Sequence, residues 1–167
     1  MKASAEVTKT GIYLRGLFLQ RYSGIEFSIT HLLAAASLHP AYEASGELPY
    51  PVKGKLRRFE ELLELDGPVK PYADTLRAMH SEFQALEDAR RFIVHGMMLG
   101  FEDDGGTIQF RIFRHIDGEP NIGAMTFSIE DLEAMTEMMH PLSSAFPEVV
   151  AKIARAIKAD IDPPEWL

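Results

Sequence analysis

Cysteine is absent from all 167 residues, which excludes a disulfide framework and any thiolate metal centre and fits a reducing cytosol. Long apolar runs are missing too. No stretch approaches the length needed to span a bilayer, and the opening MKASAEVTKTG lacks the apolar core of a secretory signal. The expectation is a soluble, cytoplasmic protein that makes no use of a membrane. Basic charge is also in short supply: 17 Lys and Arg stand against 25 Asp and Glu, a net charge of −8. That balance argues against a broad, nonspecific nucleic-acid surface, which needs clustered cations to neutralise phosphates. No internal repeat and no low-complexity tract interrupts the chain.

What is present is enough apolar material, 46% of residues with 25% charged, to bury one substantial core. A single domain over residues 1–167 is the simplest organisation. A helix is expected over about 11–38, with Leu14, Phe18, Ile25, Ile29, Leu32 and Ala36 on its buried side and Pro40 ending it. Gly46, Pro49 and Pro51 mark the stretch from Ala41 to Pro51 as a loop. A short helix follows over about 55–65, stopped by Gly67-Pro68. A longer one begins near Pro71 and ends at about 95, where Gly96 can take a left-handed cap.

The hydrophobic period then changes. Ile108, Phe110 and Ile112 alternate with Gln109 and Arg111, and Asp103-Asp104-Gly105-Gly106 and Asp117-Gly118 are turn signals. These imply a small antiparallel β-meander over about 97–127. Ser128 and Asp131 have the spacing of a capping box, opening a last helical region over about 129–159 with Leu132, Met135 and Met139 on its apolar side. Pro141 and Pro147 are expected to kink or divide it. The terminal Asp162-Pro163-Pro164-Glu165-Trp166-Leu167 reads as an extended tail. The fold class is therefore mainly α, a helical bundle with the meander inserted before the last helices.

One charged residue breaks this pattern. Tyr72, Leu76, Met79, Phe83, Leu86, Arg90 and Ile93 recur at steps of four and three, which is one buried stripe of a helix, and Arg90 lies within it. Desolvating a guanidinium costs several kcal/mol unless carboxylates, carbonyls or a ligand satisfy its donors. Arg90 therefore calls for a specific partner. An imidazole, His95, follows five residues later, just before Gly96.

An Arg, four intervening residues and a His at the end of a long helix resemble the Arg-x4-6-His signature of the HEPN superfamily, helical bundles many of which are dimeric, metal-independent ribonucleases of toxin or defence systems. The resemblance covers the helix from about Pro71 to Gly96. It implies a HEPN-like bundle, Arg90 and His95 as catalytic residues, no metal and no cofactor, a homodimer, RNA as substrate and an antitoxin protein as partner. Arg91 departs from the family, where Asn, Asp or His commonly follows the Arg.

The chemistry of those residue types agrees. RNA carries its own nucleophile in the 2′-hydroxyl, so cleavage needs a proton acceptor, stabilisation of charge at phosphorus and alignment. Imidazole titrates near neutrality and can serve as general base or acid. A guanidinium fork matches the developing charge on the phosphoryl oxygens. On an ideal helix, however, side chains five residues apart diverge by about 140°, so the pair is not expected to share one face of a single protomer. A two-fold dimer that juxtaposes two copies of the helix end is the expected remedy.

A structural role competes with catalysis: Arg90 bridging buried carboxylates or loop carbonyls, and His95 capping the helix C-terminus. The competing function is a noncatalytic dimeric module binding a nucleotide, RNA or a protein. Arg91, four residues after Glu87, is expected to form a surface pair with it or to contact phosphate. Arg111 and Arg114 are expected to join Arg90 and Arg91 in a binding surface if the fold brings them together. Lys53, Lys55, Arg57 and Arg58 read as an ordinary solvated face. Glu137 and His140 have Glu-x-x-His spacing without the second pair that di-iron bundles need. His31, His39, His80 and His115 show no ligand spacing with one another, the eight methionines read as core fillers, and Gly105-Gly106 reads as a turn.

Overall fold

A 32-residue helix, α1 (Ala5–Ala36), opens the chain because apolar residues recur along it at steps of three and four. Leu14, Phe18, Tyr22, Ile25, Ile29, Leu32 and Ala36 are all buried. Withdrawing each large side chain from water contributes about 1.5–3 kcal/mol, far more than the helix propensity of any residue in it. The computed structural model describes residues 5–45, 48–49, 51–100, 106–116 and 118–161. After α1 come a 3-10 turn (Pro40–Ser45), α2 (Val52–Glu64), a second 3-10 turn (Lys70–Tyr72), α3 (Ala73–Gln84) and α4 (Glu87–His95). Three strands follow, β1 (Met97–Gly100), β2 (Thr107–Ile116) and β3 (Glu119–Ser128), and then α5 (Ile129–Asp160). The protein is mainly helical, with one three-stranded antiparallel sheet of order β1-β2-β3 placed before the final helix.

The chain forms two units. The first comprises Met1–Arg21 with Phe83–His140, and so holds α4 and the sheet. Here Ile108, Phe110 and Ile112 turn one face of β2 inward, and Phe110 meets Phe127 of β3 edge to face at 5.8 Å. A Cβ at Gly11 would lie 2.0 Å from Ile108 Cδ1, so a residue without a side chain lets α1 approach the sheet. The second unit comprises Tyr22–Glu82 with Pro141–Leu167. Its core holds Tyr42, Phe59, Leu63, Leu76 and Phe146, each essentially inaccessible. The Val69 N–H donates to Tyr42 Oη at 2.9 Å, tying the link between α2 and α3 to the first 3-10 turn. Gly67 supplies the bend with φ +144°, and a Cβ there would sit 2.5 Å from that same hydroxyl.

Several local expectations are corrected. The helix expected over 71–95 is two: Leu86, at φ −94° and ψ 0°, separates α3 from α4. Yet the buried stripe runs through the break, since Leu76, Met79, Phe83, Leu86 and Ile93 are all buried. Gly96 takes no left-handed cap; it is extended at φ −76° and ψ 143°. What demands glycine is crowding, because a Cβ there would lie 2.3 Å from the Phe92 carbonyl and 3.1 Å from Phe110 Cβ. Pro141 and Pro147 do not divide the last helix, which continues through both. The loop expected from Ala41 onward begins as a 3-10 turn. Ser128 and Asp131 do form a reciprocal cap: the Ser128 N–H donates to Asp131 Oδ2 at 3.0 Å, and the Asp131 N–H to Ser128 Oγ at 2.9 Å. The turn at 103–105 and the tail at 162–167 lie outside the described residues. No helix among the described residues is long and apolar enough to cross a membrane.

Candidate functional site

α4 is nine residues long, with Glu87 and Asp88 in its first turn, where the helix dipole favours anions, and His95 in its last. Its apolar side buries Phe92 and Ile93. Arg90, on the stripe, has a side chain only 12% exposed. Its guanidinium meets Glu87 through both forks: Nε donates to Oε2 at 3.0 Å and Nη2 donates to Oε1. The acidic partner that a buried guanidinium calls for is therefore one turn back on the same helix. Glu87 was expected to pair with Arg91; it serves Arg90, and Arg91 is exposed.

The remaining edge of the guanidinium faces His95, with Nη1 and Nε2 at 3.3 Å. A guanidinium can only donate, so in a hydrogen bond across this contact Nε2 would be the acceptor. The angular separation on an ideal helix had argued against such a meeting within one protomer. A long side chain at 90 and an imidazole on the helix's last residue close the gap. A partner chain is thus not needed to bring Arg90 and His95 together.

The helix end is capped by a residue that the sequence reading passed over. Arg15 of α1 donates from Nε to the Ile93 carbonyl at 2.9 Å and from Nη2 to the Val94 and Gly96 carbonyls at 3.3 and 3.0 Å. These carbonyls at the end of α4 are among those without a helical donor, and a cation is electrostatically favoured beside them. The Arg15 guanidinium also lies 5.7 Å from the centre of the Phe110 ring. The C-terminal capping role considered for His95 thus falls to Arg15, leaving the imidazole exposed. The signal was present: Arg15 lies three residues before Phe18 and four after Gly11, both buried, so it interrupts the stripe of α1 as Arg90 interrupts that of α4.

Of the two strand arginines, only Arg114 turns toward α4. Ile108, Phe110, Ile112 and Arg114 share the covered face of β2, and the Arg114 guanidinium stacks over the Phe92 ring at 4.6 Å. A Cβ at Gly123 would lie 2.5 Å from Arg114 Nε, so that glycine is the space the side chain occupies. Arg114 Nε is buried with no hydrogen-bond partner among the described residues. Arg111 has the opposite parity, is exposed, and donates to Gln109. Arg111 and Arg114, expected to join Arg90 and Arg91 in one basic surface, therefore lie on opposite faces of the sheet.

Elsewhere exposed Arg57 and half-buried Arg58 reach Glu61 at 3.6 and 3.5 Å, whereas Lys55, expected on the same solvated face, is only 16% exposed and pairs with Glu26 at 2.8 Å. Glu137 meets Arg21 at 3.3 Å. Among the described residues no three His, Asp or Glu side chains are grouped to hold a metal ion. No protein-family model, curated protein or solved structure matches this chain.

Proposed function

We propose that the protein is a HEPN-like, metal-independent endoribonuclease of a toxin or defence system, with Arg90 and His95 as its catalytic pair. The observation that supports this most is the 3.3 Å approach of the Arg90 guanidinium to His95 Nε2 at an exposed helix end. An RNA phosphate entering there meets the Nη1 edge of the guanidinium and a proton acceptor together. His95 Nε2 takes the proton from the 2′-hydroxyl, whose oxygen bonds to phosphorus as the bond from phosphorus to the 5′-oxygen breaks, and the departing oxygen takes a proton from solvent. Arg90 stabilises the charge that builds on the non-bridging oxygens. The products are a 2′,3′-cyclic phosphate and a 5′-hydroxyl. A homodimer and an antitoxin protein belong to the same proposal, as does a location in the cytoplasm.

A second reading, a noncatalytic module binding a nucleotide, RNA or a protein, is favoured by the two-pronged grip of Glu87 on Arg90. That carboxylate already fills the fork a phosphate needs. The two readings part in one experiment, in which labelled RNA is incubated in EDTA with the wild type, Arg90→Ala and His95→Ala. Cleavage lost in both variants supports the nuclease; equal behaviour of all three proteins removes it. A marked fall in the melting temperature of Arg90→Ala without any cleavage by the wild type favours the second reading.

A further inference from the structure

The face of the sheet turned away from α4 differs in character from the rest of the chain. Register places Met97 opposite Arg111 and Phe113 opposite Ile122, and Gln109 and His115 complete the β2 row on this side by parity. Phe113 is 86% exposed, Met97 62% and Ile122 56%. Arg111 and His115, the neighbours of Phe113 at two residues before and after, are also exposed. In a chain with 25 acidic residues, no Asp or Glu occupies this face of β1, β2 or β3 among the described residues. Glu119 falls on the other face by parity, the one that Asn121 shares with Arg114.

An aromatic ring standing free on a central strand, with a guanidinium one step along on one side and an imidazole on the other, fits one kind of ligand better than others. Successive residues on one face of a strand are about 7 Å apart. A base can therefore lie on the Phe113 ring while the phosphate beside it meets Arg111 or His115. Stacking needs only a π-face and is open to any unpaired base, whereas bases within a duplex are not available to it. The row also begins close to the candidate catalytic pair, because Met97, which pairs with Arg111, follows His95 by two residues.

We propose that this face is a binding platform for single-stranded RNA, with Phe113 as the stacking residue and Arg111 as a phosphate contact. The inference rests on the ribonuclease reading for its ligand, but its test does not depend on cleavage. A fluorescein-labelled ten-nucleotide RNA, 2′-O-methylated throughout so that it has no nucleophile, is titrated with protein while anisotropy is followed. Phe113→Ala is expected to weaken binding about tenfold and Phe113→Trp to restore it, as base stacking on an aromatic ring predicts. Arg111→Ala is expected to weaken binding and to lower the salt slope by about 0.7. A duplex of the same length is expected to compete poorly.

Phe113→Ala binding as tightly as the wild type overturns the platform, whatever the cleavage assay shows. So does equal competition by the duplex. A change from dimer to monomer in sedimentation of Phe113→Ala, with RNA binding unaltered, assigns the face to a second copy of the chain and likewise overturns it. If the methylated RNA binds through Phe113 while unmodified RNA is never cut, the platform stands and the nuclease falls. Because Phe113 is exposed, these variants are expected to melt as the wild type does.

Discussion

Replacing Arg15 by alanine tests whether the end of α4 is held in place from α1. The side chain makes three hydrogen bonds to the carbonyls of Ile93, Val94 and Gly96. Bonds from a charged donor contribute about 1.5–3 kcal/mol each. Water can replace part of that at a half-buried site, so about 1 kcal/mol per bond is a fair net figure. A loss of about 3 kcal/mol follows, with the weak cation–π contact to Phe110 included in that margin. For a chain of this size each kcal/mol moves the melting temperature by about 2–4 °C, so Arg15→Ala is expected to melt about 6–12 °C lower. Arg15→Lys keeps the charge beside the dipole but lacks the planar fork, and is expected to fall between the two. Differential scanning calorimetry reads both variants. A melting temperature within about 1 °C of the wild type for Arg15→Ala would refute the reasoning, since the helix end would then need no cap.

Two further outcomes follow from the second unit. His80 is buried, with its Nδ1 3.5 Å from Glu60 Oε1, its ring edge-on to Phe59 at 5.1 Å, and its Nε2 without a hydrogen-bond partner among the described residues. Burial holds the imidazole below its ordinary value of 6.5, with the Glu60 carboxylate pulling more weakly the other way. The unfolded chain therefore takes up a proton first, so this contribution to stability is complete above about pH 6.5 and declines as pH falls below it. Urea denaturation between pH 7.5 and 5 is expected to show a steeper acid loss in the wild type than in His80→Leu; parallel curves would remove His80 as the cause. Gly67→Ala is expected to cost at least 1–3 kcal/mol, because alanine strains the backbone at φ +144° and its Cβ collides with the Tyr42 hydroxyl. A chemical denaturation midpoint unchanged from the wild type would show that the bend relaxes freely.

Local patterns carried much of this fold. The stripe of α1, the alternation in β2 and the box at Ser128 and Asp131 were all legible, because each is decided by residues within a few positions of one another. The boundary at Ala85 and Leu86 was not, since neither residue is a breaker and the apolar stripe passes through it. The same limit applied to the site. That Arg90 needed an anion could be read from its place on the stripe, but choosing between Arg90 and Arg91 for Glu87 depended on rotamers. The meeting of Arg90 with His95 was missed because angles around an ideal helix ignore the reach of an arginine and the freedom of a terminal residue. Arg15 was missed for want of applying to α1 the criterion already applied to α4. Arg111 and Arg114 were grouped by charge when their odd separation of three along a strand had already sent them to opposite faces.

The two lateral margins of the sheet are protected in different ways. Among the described residues β1 is four residues long, a short template for a foreign strand. β3 runs for ten residues and would be the more inviting margin, but Pro120 withholds an amide near its start, and an intruding chain finds one fewer donor there. Substituting that proline with a β-branched residue would extend an unguarded ladder, and the first symptom would be loss of yield through aggregation.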